Sequence, residues 1–308
     1  MKYNKLYIVA ALLGVMFTAC QKEQAIEKPE QPEEPQTWTL KIEVPSSLDT
    51  KAMTFDGSTL THAFAENEKV DVFYGATCLG TLSAGAPSAG KVTLSGNIAK
   101  NAEVTAGKTL TLLYPGRNDH AWTYLGQDGS APDAAGTMAT GYDYSKATIT
   151  VDAVTASTLT GTISSAFARQ QSVYRFGFKV GGAGDAIAVS SFTVSSSQNK
   201  LVRSMAYSGS EWAKESYGSI TVTPVADPAE NLYYMSLRNE NTTVADTYSF
   251  MVVRKSDSAL LEGTKAISDP ANLEIGKFLS MKSIEVNSKA FAPVDPAVAT
   301  ISLESAVL

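Results

Sequence analysis

Short runs of alternating apolar and polar residues recur along most of the chain from residue 37 onward. In the first run Trp38, Leu40, Ile42 and Val44 alternate with polar residues, and the run stops at Pro45. A period of two places successive side chains on opposite faces of a strand, so each run predicts a half-buried β-strand. Similar runs cover residues 70–74, 91–98, 108–114, 147–151, 159–163, 173–180, 186–194, 219–223, 232–237, 247–254 and 278–286.

Clusters of Gly, Pro, Asn, Asp and Ser bound these runs, which is typical of all-β sandwiches. Helical periodicity is weak, and one short helix near residues 269–274 is left open. Twelve strands exceed the seven of an ordinary sandwich, so we predict an all-β fold with two tandem β-sandwich domains. The boundary is placed near residues 166–171, giving domains at 37–168 and 169–290. The loop-rich stretch 117–144 is assigned to the first domain.

The first residues have the features of a secretory signal. Lys2 and Lys5 precede an apolar run at residues 6–17, which is shorter than the roughly 20 residues of a membrane-spanning helix. The run ends in Phe-Thr-Ala-Cys, which resembles a bacterial lipobox, so residues 1–19 are a predicted signal peptide and Cys20 a predicted lipidation site. The alternative is ordinary cleavage near Ala19, which leaves Cys20 free. Lipid chains on Cys20 would tether a soluble body to a membrane.

Residues 20–36 are predicted to form an acidic, proline-rich tether. After Cys20 this segment has five Glu and three Pro but only one large aliphatic residue, too little apolar surface to fold. Acidic residues soon after a lipidated cysteine resemble the surface-export signal of Bacteroidetes lipoproteins. This favours display on the cell surface over residence in the periplasm.

The charge balance excludes one class of partner. The chain has 25 basic and 31 acidic residues, and loss of residues 1–19 changes its net charge from −6 to −8. Nucleic-acid binding needs a basic surface. In the mixed basic and aromatic segment 169–179, the aromatic side chains alternate with the basic ones, as a half-buried strand requires. No nucleic-acid partner is predicted.

Few residues could support catalysis or bind a metal. His62 and His120 are far apart in sequence, and the two cysteines form no metal-binding spacing. Ser197 and Lys200 match an S-x-x-K nucleophile motif, but they lie in a polar turn and the partner motifs are missing. Cys78 is interpreted as a small hydrophobe without a disulfide partner. We therefore predict no enzyme activity, no cofactor and no metal site.

One short motif suggests a covalent modification. Asp257-Ser258-Ala259 resembles the three-residue O-glycosylation motif of exported proteins in Bacteroidetes, with Ser258 as the acceptor. Because three residues match often by chance, an unmodified Ser258 is the alternative.

A longer pattern resembles the fimbrillin family of Bacteroidales. Residues 53–73 contain Met-Thr-Phe, a polar stretch and then Phe-Ala-Glu-Asn-Glu-Lys-Val-Asp-Val-Phe, similar to the family's signature segment. The segments KVTLSG (91–96), LTLLYP (110–115), RFGF (175–178) and GKFLSMKSI (276–284) follow in the family's order. The similarity spans residues 37–286. One difference is that Asn67-Glu68 replaces the family's usual Gly-Asp.

The resemblance implies a fold and a function. Fimbrillins are two-domain, transthyretin-like β-sandwich subunits of type V pili, or related surface adhesins, that reach the outer membrane as lipoproteins. A trypsin-like protease removes the N-terminal segment with its strand, and a strand of another fimbrial subunit fills the groove. Expected partners are therefore other fimbrial subunits, the outer membrane through Cys20, and host or bacterial surface glycans or proteins.

The resemblance also implies roles for particular residues. Trp38, Leu40, Ile42 and Val44 would be the inward face of the resident strand. The family's processing site, an Arg followed by a small residue, is replaced here by Lys51-Ala52, which suits only a protease that accepts lysine. In the tail at 291–308, Ile301, Leu303 and Val307 share one face and form a candidate donor strand. A frayed tail or a last intramolecular strand remains an equal alternative.

A second hypothesis is a monomeric surface lipoprotein that binds glycans. Exposed aromatic side chains would stack on sugar rings, and Trp122, Tyr124 and Trp212 are candidates. For Trp122 and Tyr124 a role in a core or hairpin is favoured over sugar stacking. Glycan binding by a monomer that never polymerises would favour this hypothesis over the fimbrial one.

Overall fold

The computed structural model describes residues 36–45, 54–55, 60–61, 64–132, 141–209, 212–240 and 243–289. These residues form an almost entirely β structure, which confirms the predicted fold class. The strands are β1 Thr37–Pro45, β2 Thr54–Phe55, β3 Leu60–Thr61, β4 Lys69–Tyr74, β5 Thr77–Ala84, β6 Lys91–Ala99, β7 Thr109–Tyr114, β8 Ala121–Thr123, β9 Ser145–Val154, β10 Thr158–Arg169, β11 Ser172–Val180, β12 Val189–Ser196, β13 Val202–Tyr207, β14 Trp212–Tyr217, β15 Ile220–Val222, β16 Tyr233–Leu237, β17 Asp246–Arg254, β18 Leu260–Ile267 and β19 Phe278–Ser288.

Each predicted run coincides with one of these strands, and the short helix near residue 270 is also present. It is a single 3-10 turn, Pro270–Leu273, and Asp269 accepts a hydrogen bond from the backbone N–H of Ala271 at 3.0 Å. A second 3-10 turn covers Ala229–Asn231. Among the residues that the structure describes, no helix is long and apolar enough to cross a membrane.

The first half of the chain closes into a seven-stranded barrel. Its strands are ordered β1-β10-β9-β7-β4-β5-β6, and β1 bonds to both β10 and β6. Every neighbouring pair is antiparallel except β1 and β10, which run parallel. The predicted sandwich layers are therefore joined at both sides, because β1 bridges the strands that would otherwise be their edges.

The second half repeats this topology strand for strand. Its seven-stranded sheet has the order β15-β12-β17-β18-β19-β11-β16, with β11 parallel to β19 and all other pairs antiparallel. In chain order β11, β12, β15, β16, β17, β18 and β19 correspond to β1, β4, β5, β6, β7, β9 and β10. The chain is thus two tandem repeats of one β topology. We call residues 37–169 the first repeat and 172–288 the second repeat.

The second repeat folds into two facing layers. β18 and β19 pair only at Leu261 with Ser288 and at Glu262 with Asn287, so the sheet bends there. The rings of Phe176 and Phe178 on β11 then meet those of Phe192 on β12 and Phe250 on β17, with centroids 5.1–5.8 Å apart. The aromatic core of this repeat lies between the layers.

The segment around Gln127 closes the second repeat on its other side. No strand pairs β15 with β16 within the described residues, but Thr223 N donates to Gln127 O at 3.2 Å and Tyr234 N donates to Gly129 O at 3.0 Å. The buried side chain of Gln127 donates to Ser236 O at 2.8 Å and accepts from Ser236 N at 2.6 Å. A glutamine side chain thus completes the backbone bonding of an edge strand.

The stretch 117–144, which the sequence analysis assigned to the first domain, also has contacts with the second repeat. β8 in that stretch pairs with β13, which forms a three-stranded sheet with β14. Trp122, Tyr124 and Tyr144 are buried in the aromatic core of the second repeat. The same core includes Phe73 and Leu113 of the first repeat, so the stretch packs against both repeats.

The two repeats are joined by a short polar linker. Only Gln170 and Gln171 separate β10 from β11. Arg238 Nη1 donates to Gln170 Oε1 at 3.0 Å, while Gln171 Nε2 donates to Asp143 Oδ1 at 2.6 Å and Gln171 Oε1 accepts from Tyr144 N at 3.1 Å. These bonds fix the linker against both repeats. The predicted domain limits, 37–168 and 169–290, stay a prediction, since all described residues fall in one compact unit.

Acidification is expected to destabilise the second repeat through Asp246. Burial opposes ionisation of this carboxylate, but hydrogen bonds from Ser196, Asn239, Ser197 and the backbone of Thr247 together hold its pKa below the usual value. The resulting stabilisation is complete above about pH 4 and is lost as the pH falls through the lower pKa of the folded state. Urea unfolding should be measured from neutral pH down to below the pKa of Asp246. Asp246→Asn should lower the unfolding free energy at neutral pH and weaken its dependence on pH in the acid range. The same exchange at exposed Asp185 serves as control, and an unchanged acid dependence in Asp246→Asn would refute this role.

Candidate functional site: the first strand and its groove

The first described strand of the chain lies in the core of the first repeat. The side chains of Trp38, Leu40, Ile42 and Val44 are only 5%, 0%, 3% and 1% exposed, and the intervening residues point to solvent. The strict alternation results from the pleat, which turns every second side chain inward. β1 is therefore an amphipathic strand with one fully buried face.

β6 provides one wall of the groove that holds β1. The two strands pair along their whole length, from Thr37 opposite Ala99 to Pro45 opposite Lys91. Trp38 lies opposite Ile98, Ile42 opposite Leu94 and Val44 opposite Val92, and all of these side chains are buried. Paired residues in antiparallel strands share a face and pack together. Removal of β1 would expose this wall.

At Gly96 the β6 backbone lies very close to the backbone of β5. It lies opposite Leu40, and a Cβ at this position would come within 2.6 Å of Thr81 O. A larger residue would push β5 and β6 apart.

β10 provides the other wall through a shorter contact. Thr39 and Leu40 pair in parallel with Thr158 and Leu159, and Thr39 N donates to Ser157 O at 2.9 Å. The Trp38 indole N–H donates to Thr155 O at 3.1 Å. The indole N–H is thus hydrogen-bonded at the edge of the groove, and the indole rings fill the groove.

The exposed face of β1 contributes little to the free energy that holds the strand in the groove. Lys91 Nζ lies 3.1 Å from Glu43 Oε2, with both side chains about two-thirds exposed, and exposed ion pairs of this kind contribute at most about 1 kcal/mol. Thr39 Oγ1 donates to Asn97 Oδ1 at 3.0 Å. The buried face dominates, because four large apolar side chains contribute about 1.5–3 kcal/mol each, or about 6–12 kcal/mol together.

Most other predicted site residues lie outside the described part of the chain. These are Cys20, Lys51, Ala52, Ile301, Leu303 and Val307, so their roles stay predictions. Ser258 is described: it is exposed on the turn between β17 and β18, with a φ of 59°. Its backbone N–H donates to Arg254 O at 3.0 Å, and Asp257 accepts from Ala259 N at 3.1 Å. Its side chain is accessible for modification.

The aromatic candidates for sugar stacking have a different location. Trp122 and Tyr124 are buried, with 1% and 0% exposure, and the Tyr124 hydroxyl donates to Gln170 O at 3.2 Å. Their rings cannot reach a sugar, which agrees with the interpretation of these two as core residues. The side chain of Trp212 falls outside those that the structure describes.

One histidine–carboxylate contact was not foreseen from the sequence. His120 Nδ1 lies 3.3 Å from Asp71 Oδ2, and the same carboxylate accepts from Arg117 N and Thr81 Oγ1, both at 2.7 Å. Asp71 thereby holds the loop after β7 against β4. Nothing in the spacing of residues 71 and 120 signals this contact, because it depends on how two distant segments fold together.

The remaining chemistry-bearing groups have structural surroundings. Burial raises the pKa of the Cys78 thiol, which keeps it protonated and weakly nucleophilic. Ser197 lies in a turn after β12 and donates to Asp246 Oδ1 at 2.8 Å. Within the described ranges no group of three or more His, Cys, Asp or Glu side chains could hold a metal ion.

Comparisons with known proteins gave matches among solved structures. No protein-family model and no curated protein matches the chain. A candidate cell adhesion protein from Bacteroides uniformis is 12% identical, with 84% of this chain and 98% of that one covered and a TM-score of 0.42.

Two further solved structures are less similar in backbone. A fimbrial protein from Bacteroides ovatus is 12% identical over 80% of this chain and 51% of that one, with a TM-score of 0.33. The shaft pilin spaA of Lactobacillus rhamnosus GG is 12% identical over 84% and 99%, with a TM-score of 0.30. These are likenesses to individual structures, and no family membership is assigned from them.

Proposed function

We propose that the protein is a surface lipoprotein that serves as a type V pilus subunit or fimbrillin-like adhesin. In this proposal a protease releases β1, and a strand of another subunit takes its place. The observation that carries the proposal is β1 itself: the first described strand, with four buried apolar side chains, followed shortly by Lys51-Ala52.

The energetics of β1 favour exchange over spontaneous loss. Withdrawal of its buried face costs about 6–12 kcal/mol, so the strand stays in place until the chain is cut. Once the strand is gone, the same apolar groove drives uptake of a replacement. Backbone bonds to β6 and β10 would supply affinity, and the alternating pockets would select the register.

The ends of the chain provide the other two parts of the mechanism. Lipid on Cys20 would hold the uncleaved protein at the outer membrane, and cleavage after Lys51 would release it from this anchor. The alternating apolar residues Ile301, Leu303 and Val307 make the tail a candidate donor strand for the next subunit. Without cleavage the protein would act as an anchor or a stand-alone adhesin.

A glycan on Ser258 is compatible with this role. The residue lies on an exposed turn of the second repeat, remote in sequence from β1, β6 and β10. Ser258 is not part of the strands that form the groove.

Trypsin digestion of the purified precursor tests the proposal. We expect a cut after Lys51, loss of the segment that carries β1, and growth of polymers that size-exclusion chromatography and electron microscopy detect. Lys51→Ala should remain monomeric after the same treatment, and deletion of residues 298–308 should permit cleavage but abolish polymers. A precursor that is cut at Lys51 and stays monomeric under all conditions would exclude strand exchange between copies of this chain.

The alternative, a monomeric glycan-binding lipoprotein, has less support. Two of its three aromatic candidates, Trp122 and Tyr124, are buried. Binding of the purified monomer to a glycan array, without polymers after any protease treatment, would favour it over the pilus proposal.

A further inference from the structure

Both repeats place their first and last strands side by side and parallel. In the first repeat Thr39 and Leu40 pair with Thr158 and Leu159. In the second repeat the pairing between β11 and β19 is longer, from Val173 opposite Phe278 to Val180 opposite Val286. The two strands through which the chain enters and leaves a repeat are therefore direct neighbours.

This arrangement determines how a pulling force acts on the chain. The chain enters the second repeat at the N-terminal end of β11 and leaves it at the C-terminal end of β19. Because the strands are parallel, these points lie at opposite ends of the pair. Tension between the chain ends would pull β11 and β19 in opposite directions along their axes, and β1 and β10 in the same manner.

Sliding of this kind loads the interstrand bonds in shear. The bonds of a parallel ladder are evenly spaced along the strands, so all of them share the force and must break together. A force that separates the strands from one end instead breaks them one at a time. Shear is consequently the more resistant geometry for the same set of bonds.

The packing of β11 strengthens its resistance to sliding. Tyr174, Phe176 and Phe178 are buried and interlock with the opposite layer. β19 has one extra residue opposite Gly177, where a Cβ would lie only 2.6 Å from Lys282 O. This bulge seats the carbonyl of β19 against the glycine and interrupts a smooth sliding path.

The linker transmits force between the repeats without slack. Gln170 and Gln171 are held by Arg238, Asp143 and Tyr144, through bonds of 2.6–3.1 Å. Since only these two residues connect β10 to β11, the linker cannot extend before a strand pair yields. The two pairs act in series.

We propose that the uncleaved protein has a mechanical function: each repeat is a shear clamp, formed by β1 with β10 and by β11 with β19, that resists tension between the chain ends. The second clamp does not include β1 and would persist after cleavage. A surface protein anchored at one end and engaged at the other would experience such tension. The proposal goes beyond strand exchange and does not require it, because both clamps exist within a single chain.

Single-molecule force spectroscopy on the full-length monomer tests the clamp. One form carries handles at the two chain ends. A second form carries them at Gly182 and Lys289, which lie just past the same end of the β11–β19 pair, where Val180 faces Val286. We expect a several-fold higher rupture force with end handles, since that geometry loads the bonds in shear. The contour length released identifies which repeat has opened.

Matched core variants separate mechanical resistance from equilibrium stability. Ile284→Ala alters β19 within the clamp, and Val252→Ala alters β17 outside it; both side chains are buried in the same core. We expect Ile284→Ala to lower the end-to-end rupture force of the second repeat more than Val252→Ala does, per unit loss of unfolding free energy. Equal rupture forces in the two pulling geometries, or equal effects of the two variants, would overturn the proposal. Polymer formation is not involved in any of these measurements, so failure of strand exchange leaves them unaffected.

Discussion

Leu40→Asp is expected to unfold the first repeat. Leu40 is fully buried in β1, opposite Gly96 on β6 and beside Leu159 on β10. Loss of the leucine alone costs about 2–5 kcal/mol, and an unpaired carboxylate in an apolar groove adds several kcal/mol more. The sum is comparable with the whole stability of a domain, about 5–15 kcal/mol. Urea unfolding followed by near-ultraviolet circular dichroism measures the effect.

Lys41→Asp is the matched control, because residue 41 lies next in the same strand and points to solvent. It should change the unfolding free energy by less than about 0.5 kcal/mol. Equal stability of the two variants would show that β1 is not a core strand in solution.

The same pair of variants also bears on strand exchange. Both substitutions lie on the segment that cleavage after Lys51 removes, so the two cleaved products are identical. We therefore expect equal polymer yield once cleavage is complete, although the uncleaved Leu40→Asp precursor is far less stable. Unequal polymer yields would mean that the segment carrying β1 remains in the assembled product.

Phe176→Ala is expected to destabilise the second repeat by about 3–5 kcal/mol. Its ring is buried and stands at the centre of the aromatic core, 5.3 Å from Phe250, 5.8 Å from Phe192 and 5.9 Å from Tyr174 between centroids. Alanine would leave a cavity, because the surrounding strands can relax only partially into the space of the lost ring. Chemical denaturation monitored by tyrosine and tryptophan fluorescence gives the magnitude.

Phe278→Ala is a suitable comparison for this prediction. Phe278 begins β19 and is half-buried, with the Arg175 guanidinium 5.5 Å from its ring centroid. Its removal should cost clearly less, because part of the ring already contacts water. Similar losses for both phenylalanines would contradict the central role of Phe176.

The strands that the sequence predicted correctly share one physical property. In β1, β9 and β17 a single face is buried, so apolar residues alternate with polar ones and the period of two is visible. β5 and β18 were missed because Gly80 and Gly263 interrupt their alternation. These glycines are needed where neighbouring backbones approach closely: a Cβ at Gly263 would clash with Glu285 O.

Sequence analysis predicted two tandem β-sandwich domains but did not reveal that their strands correspond one by one. β1 and β11 occupy equivalent places in the two repeats, but their inward residues differ: Leu40 and Ile42 in one, Phe176 and Phe178 in the other. A core can be filled by different apolar side chains of suitable total volume. Equivalent strands therefore need not look alike.

By itself the sequence determined the all-β class, the positions of the main strands and the inward face of β1, because each of these depends on the order of neighbouring residues. Only the tertiary structure decided that β1 bonds to both β6 and β10, that Gln127 completes an edge of the second repeat, and that Trp122 and Tyr124 are buried. These contacts join residues from distant segments, and their energy depends on which surfaces the folded chain brings together. The parallel pairing of first and last strands belongs to the same class, and so do the groove and the clamps that follow from it.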